Sequence, residues 1–194
     1  MKPSGKFQKW LKATPPPWRI GELLITPATG FPPAYSVRHF MDAGEQNLEI
    51  SVEPLAARTY VKLDRDGNYR NLKGEGNLRR GWALEKLDYE ALCLVLNIFY
   101  PTAIANWALH HGGMLPIVTF EETAARQTGR YRMVGHATPE QVANVVNKLC
   151  HARCLKVPLW RKEKAAASDF LLCPETCNLF ISMCRDEMNG ENRK

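Results

Sequence analysis

Two Cys-x3-Cys pairs stand near the end of the chain, Cys150 and Cys154 in CHARC and Cys173 and Cys177 in CPETC, and the connection between them contains no cysteine. Thiolates are soft ligands. Four of them brought to one place bind a tetrahedral Zn²⁺ or a cubane iron–sulfur cluster. Zinc ribbons and fingers favour pairs two residues apart, although spacings of two to four occur. Cys-x3-Cys on helix edges spreads the sulfurs further, which suits a larger inorganic core. Spacing alone leaves both kinds of centre open.

The elements around the cysteines must bring the pairs together. In ATPEQVANVVNKLCHARC, Thr138 is placed as N-cap, Pro139 as N1 and Gln141 as N3 of a helix. Val142, Val145, Val146 and Leu149 recur at i, i+3, i+4 and i+7 and form one buried stripe. Cys150 and Cys154, four apart, are expected to point outward together from one edge of that helix. Pro174 reads as the first residue of a following helix, with Cys173 as its cap and Cys177 one turn inside, where the helix dipole favours a thiolate. LKVPLW and DFLL read as short strands of a hairpin around KEKAAAS, which would carry one pair to the other. Lys148, Arg153, Lys156, Arg161, Lys162 and Lys164 outnumber Glu163 and Asp169 across this segment. Cations there would offset the net charge of −2 carried by four thiolates on Zn²⁺ or on a [4Fe-4S]²⁺ core.

The rest of the chain reads as α+β, with a β-rich N-terminal half and a mainly helical C-terminal half. Residues 1–18 are expected to be an extended arm, since Pro15, Pro16 and Pro17 favour a polyproline-like conformation. Residues 19–83 carry short β-prone runs in GELLITP, AYSVRHF, NLEISVEP and RTYVKLD. Asp66-Gly67 marks a turn for a hairpin of Tyr60–Asp64 with Tyr69–Leu72. Residues 84–194 then hold the helices, beginning with LDYEALCLVLNIFY capped by Asp88. TFEETAARQ opens with the capping-box pattern Thr119-x-x-Glu122.

Other chemistry-bearing residues read as structural. Cys184 is expected to be a small buried hydrophobe beside Leu179, Phe180 and Met183, and Cys93 a core residue in ALCLVLN. His151 turns away from the face shared by its neighbouring cysteines, while His110 and His111 sit at a helix end. His39 and His136 carry no signal. There is no Gly-rich phosphate loop, nucleophile elbow or His-x-Glu zinc pattern, so an independent active site is not expected. The opening residues lack the apolar stretch of a secretory signal, which makes the cytoplasm the expected compartment. Cysteines used as a set there are metal ligands or redox groups before disulfides. The net charge of +6 and the cation–aromatic interleaving in FQKWLK, NLRRGW, GRYRM and LWRK support an alternative reading. It is a nucleic-acid-binding protein with a structural zinc site on four cysteines.

CLKVPLW and LLCPETCNLF resemble the C-terminal iron–sulfur-binding region of multidomain CbiX-like sirohydrochlorin chelatase proteins. The resemblance extends upstream through PPPWRIGELLITP, DRDGNYRNLKGEGNLRRGW, NIFYPTAIANW and RQTGRYR. It implies a [4Fe-4S] cluster on Cys150, Cys154, Cys173 and Cys177. The matching segments leave no room in 194 residues for a chelatase domain, so chelatase activity is not implied. The implied role is an accessory module in tetrapyrrole metabolism, with a separately encoded chelatase or an acidic redox partner.

Overall fold

The computed structural model describes residues 3–28, 33–61, 78–161, 164–166 and 169–191. The expected hairpin around Asp66-Gly67 lies outside the described residues, as do Lys162 and Glu163. The chain divides into two compact units, Met1–Gly113 and Met114–Lys194. The boundary therefore falls well after the expected junction near residue 83. The reason is tertiary: strand and helix beyond that point complete the first unit's sheet and its cover.

The first unit opens with α1 (Pro3–Ala13), not an extended arm. Phe7 and Leu11 are four apart, share one helix face and are both buried. The Lys6 Nζ donates to the Ala108 carbonyl at 3.2 Å, and the Tyr89 hydroxyl donates to the Ser4 carbonyl. The prolines act only after the helix has ended. The sheet has the order β1 (Trp18–Ile20), β2 (Leu23–Ala28), β3 (Ala34–His39), β5 (Trp82–Leu87), β4 (Glu49–Ser51). β1, β2, β3 and β5 pair antiparallel, whereas β4 runs parallel to β5. RTYVKLD, read as a strand, instead contributes its first residues to a 3₁₀ helix over Pro54–Tyr60. Val61 then bridges Leu78.

Asp88 caps α2 (Tyr89–Phe99) as expected, accepting the Ala91 N–H at 2.8 Å. α3 (Ala103–His110) follows. The Trp82 ring stacks between Tyr60 at 4.7 Å and Phe99 at 5.3 Å, fastening α2 to the sheet. No single described helix is long and apolar enough to cross a membrane.

The second unit is mainly helical, as the α+β reading requires. α4 (Phe120–Ala125) and α5 (Pro139–Val145) both begin with complete capping boxes, on Thr119/Glu122 and Thr138/Gln141. A 3₁₀ stretch, Gly129–His136, lies between them. After α5 the backbone widens into a π-helix over Val146–Cys154. β6 (Val157–Pro158) and β7 (Leu172–Cys173) pair in parallel, with Val157 opposite Leu172 and Pro158 opposite Cys173. The expected hairpin is thus replaced by a parallel two-residue ladder. α6 (Asn178–Glu191) closes the unit. Its core gathers Val142, Val145, Val146, Leu149, Trp160 and Phe180.

Candidate metal centre

The π-helix positions the first cysteine pair. Cys150 continues the buried stripe of Val142, Val146 and Leu149 and is only 6% exposed. This corrects the expectation that both cysteines face outward: a residue eight positions after Val142 and four after Val146 falls on the same helix face. Cys154 is half-buried at the rim of that core. The turn ends abruptly at Leu155, whose φ of 54° is left-handed. The N–H groups of Leu155 and Lys156 both return to the Cys150 carbonyl, the latter at 3.1 Å. π-helical turns recur at functional sites because they re-aim side chains that a regular helix would leave in line.

The second pair is held differently from the expected helix start at Pro174. Cys173 is a β7 residue, and α6 begins only at Asn178. Cys177 precedes α6 directly, and its sulfur accepts the Phe180 N–H at 3.4 Å, the bond a capping side chain makes. The loop between the two cysteines is tied down by the Val118 N–H, which donates to the Pro174 carbonyl at 3.0 Å. The Cys173 thiol donates to the Glu175 carbonyl at 3.1 Å.

Cys154, Cys173 and Cys177 share one electrostatic neighbourhood. Burial, aided by the neighbouring Cys177 and Cys173, raises the Cys154 thiol to about 11 against the pull of Lys156 and Arg153. Burial also raises Cys173; Cys177 adds to that, while Lys156, the Trp160 indole and the Glu175 peptide oppose it. Lys156 therefore serves both sulfurs, the local use expected of the basic residues here. Lys148 does not: it pairs with Glu187 at 2.8 Å. No disulfide joins any of the six cysteines. Among the described residues no three His, Cys, Asp or Glu side chains converge tightly enough to hold a single metal ion. A zinc site would need four sulfurs each about 2.3 Å from one ion.

Two features of the surroundings fit a sulfur-rich anionic group. Buried side-chain polar atoms left without a partner among the described residues are Ser36 Oγ, Trp160 Nε1 and Thr176 Oγ1. The last two flank the cysteines, Thr176 inside CPETC and Trp160 two residues beyond the partner of Cys173 in β6. The Trp160 N–H meets no acceptor at hydrogen-bond geometry, yet lies close enough to the Cys173 sulfur to lower its pKa. The contact is a loose one, short of a formed bond. Buried donors of this kind are rare unless an acceptor is to come. Neither was flagged in the sequence, where the only available signal was a tryptophan and a threonine within reach of cysteines.

The remaining residues fall largely where expected. Cys184 is fully buried in the core beside Phe180 and Ile181. Cys93 is half-buried rather than core, its thiol beside Tyr89. His151 is exposed and faces Asn147 Oδ1 at 3.3 Å. His39, which carried no sequence signal, is buried in the first unit with Nε2 at 3.5 Å from Glu22 Oε1. Its Nδ1 accepts the Met41 N–H, which leaves Nε2 as the protonated nitrogen toward that carboxylate.

Comparison with known proteins agrees with this division. Residues 5–111 match the family model of the DR2241 stabilising domain. Residues 112–186, which contain every cysteine of the site, match that of a 4Fe-4S iron–sulfur cluster binding domain. No curated protein matches the chain. Among solved structures, the chain is similar to DR2241 from Deinococcus radiodurans, a multi-domain protein with structural similarity to chelatases and two additional novel domains. The TM-score is 0.74 and the identity 28%, over 98% of this chain and 42% of that one. The chain thus spans less than half the length of that relative. The resemblance to the accessory region of chelatase-like multidomain proteins is borne out, and the chain belongs to the DR2241 stabilising-domain family, with an iron–sulfur cluster binding domain after it.

Proposed function

We propose that the second unit holds a [4Fe-4S] cluster on Cys150, Cys154, Cys173 and Cys177, and that the whole chain is an accessory module to a tetrapyrrole chelatase. The observation that carries the reading is the clustering of Cys154, Cys173 and Cys177 beside Lys156 and two unpartnered buried donors, inside a segment matched to a 4Fe-4S domain. When bound, such a cluster supplies one-electron exchange or a rigid cross-link between chain segments. The residues do the holding. Cys177 lies at the start of α6, where backbone N–H groups and the helix dipole favour an anion. Lys156 offsets the charge of Cys154 and Cys173. Cys150, buried at the end of the core stripe, is the ligand assigned on the core side. The chelatase link rests on the likeness to DR2241, and the partner is a chelatase domain, whether separately encoded or not.

The test is iron and acid-labile sulfide analysis of anaerobically purified protein. About four of each per chain is the expected result. Cys173→Ala abolishes retention, whereas Cys93→Ala, in the first unit, leaves it intact. Zinc without sulfide overturns the reading.

A further inference from the structure

Trp160 is 2% exposed and closes a triangle of rings with Phe180, at a separation of 4.6 Å, and Phe120, at 6.2 Å. Those contacts hold the indole by its faces and edges but give nothing to its N–H. The residue stands in the 3₁₀ turn Leu159–Arg161 that leaves β6 directly after Pro158, and Pro158 is the register partner of Cys173. The short ladder therefore keeps the backbone of Trp160 two residues from the strand partner of Cys173. Trp160 also lines a pocket of about 410 Å³ with Phe120, Ala124, Val142, Glu121 and Arg161. A side chain so placed has its volume used by the core and its one polar atom left over beside a thiol. A neutral thiol is a weak acceptor, whereas a cluster-bound thiolate is a strong one. The N–H therefore stands beside an acceptor that would gain strength on becoming a ligand.

We propose that the Trp160 indole N–H is a positioning donor to the Cys173 sulfur of the bound cluster, fixing that ligand and raising the cluster's reduction potential. The proposal rests on the iron–sulfur reading above. A hydrogen bond to a ligand sulfur stabilises the more negative, reduced state, so its removal drives the potential down. Trp160→Phe keeps most of the ring and removes the donor, while an alanine there would also open the pocket wall.

The experiment compares wild-type and Trp160→Phe protein, both reconstituted anaerobically with iron and sulfide. The readouts are the midpoint potential and the Fe–S(Cys) stretching frequencies by resonance Raman. The expected result is a roughly tenfold shift of the one-electron equilibrium toward the oxidised form, equivalent to about 59 mV, with a rise in an Fe–S(Cys) stretch. The Raman readout applies even to a cluster that resists reduction. A loaded variant with both readouts unchanged overturns the proposal while leaving the cluster assignment standing. Wild-type protein without iron and sulfide overturns the cluster assignment itself, and the proposal with it. If Trp160→Phe folds but does not load, Trp160→His, which restores a ring N–H, decides. Loading regained supports the proposal; loading still lost, with native far-UV circular dichroism, overturns it.

Discussion

Replacing Cys184 with alanine, beside Cys150→Ala and Cys177→Ala, separates the two uses of cysteine in the second unit. Cys184 is fully buried in the core with Phe180 and Ile181. Truncation removes a sulfur comparable to one or two methylenes, worth about 0.8 kcal/mol each, and leaves a small cavity. The expected loss is about 1–2 kcal/mol. With a urea m-value of about 1–3 kcal/mol/M, the midpoint falls on the order of 0.5–1 M. Cys177 is exposed, and in the apo protein its truncation forfeits only the long 3.4 Å contact from the Phe180 N–H, so the change stays within about 0.5 kcal/mol. Iron content reverses the order: Cys184→Ala retains about four iron per chain, and Cys177→Ala does not. Cys150→Ala is expected to show both losses, because its side chain lies in the core and is assigned to the cluster. Urea titration of apo protein and iron analysis of reconstituted protein give the two axes. Iron lost on Cys184→Ala, or kept on Cys177→Ala, refutes the ligand assignment.

Asp42 gives a test confined to the first unit. It is 1% exposed and accepts from Arg80 Nε at 2.8 Å and from the Gly81 N–H at 2.7 Å. Burial alone would raise its pKa, but the Gly81 N–H and Arg80 outweigh burial and hold it below its ordinary value. A depressed folded pKa contributes stability that is present above the unfolded value near 3.9 and is lost as pH falls through the folded one. Asp42→Ala therefore costs about 2 kcal/mol at pH 7, allowing for the half-exposed Arg80. Denaturant titrations from pH 7 to pH 2 should show the gap to wild type shrinking; a constant gap contradicts the assignment. At the start of α5, Thr138→Ala removes one arm of a capping box and is expected to cost about 1 kcal/mol by the same titration at pH 7. A cost under about 0.3 kcal/mol would show that packing, not the cap, sets the start of the helix leading to Cys150.

Features decided within a few residues were legible before any coordinates. Asp88, Thr119 and Thr138 cap helices because their oxygens meet N–H groups three residues on, and that spacing is written in the chain. The cysteine pairs and the basic character around them were legible for the same reason. What depended on distant partners was not. β5 and α2 join the first unit because Trp82 meets Tyr60 and Phe99, a pairing that no local pattern announces. α1 was hidden because only Phe7 and Leu11 mark its buried face, and the prolines that follow argue for extension. The parallel sense of the β6–β7 ladder is equally hidden, since two short apolar runs around a polar turn read as a hairpin. The buried place of Cys150 is itself written in its spacing to Val142 and Val146, although its pairing with Cys154 argues for an outward edge. The Trp160 and Thr176 donors are visible only as atoms without partners, a property of packing.

Cys154 is separated from Val157 by only Leu155 and Lys156, and Leu155 already occupies a left-handed kink. Cys173 is itself part of β7. Little chain separates these two sulfurs from the ladder, so ligation through the proposed cluster would load the strands directly. On the cluster assignment proposed above, protection of the Val157 amide, bonded to the Leu171 carbonyl at 2.9 Å, would rise on loading, and hydrogen–deuterium exchange would read it without any label on the metal.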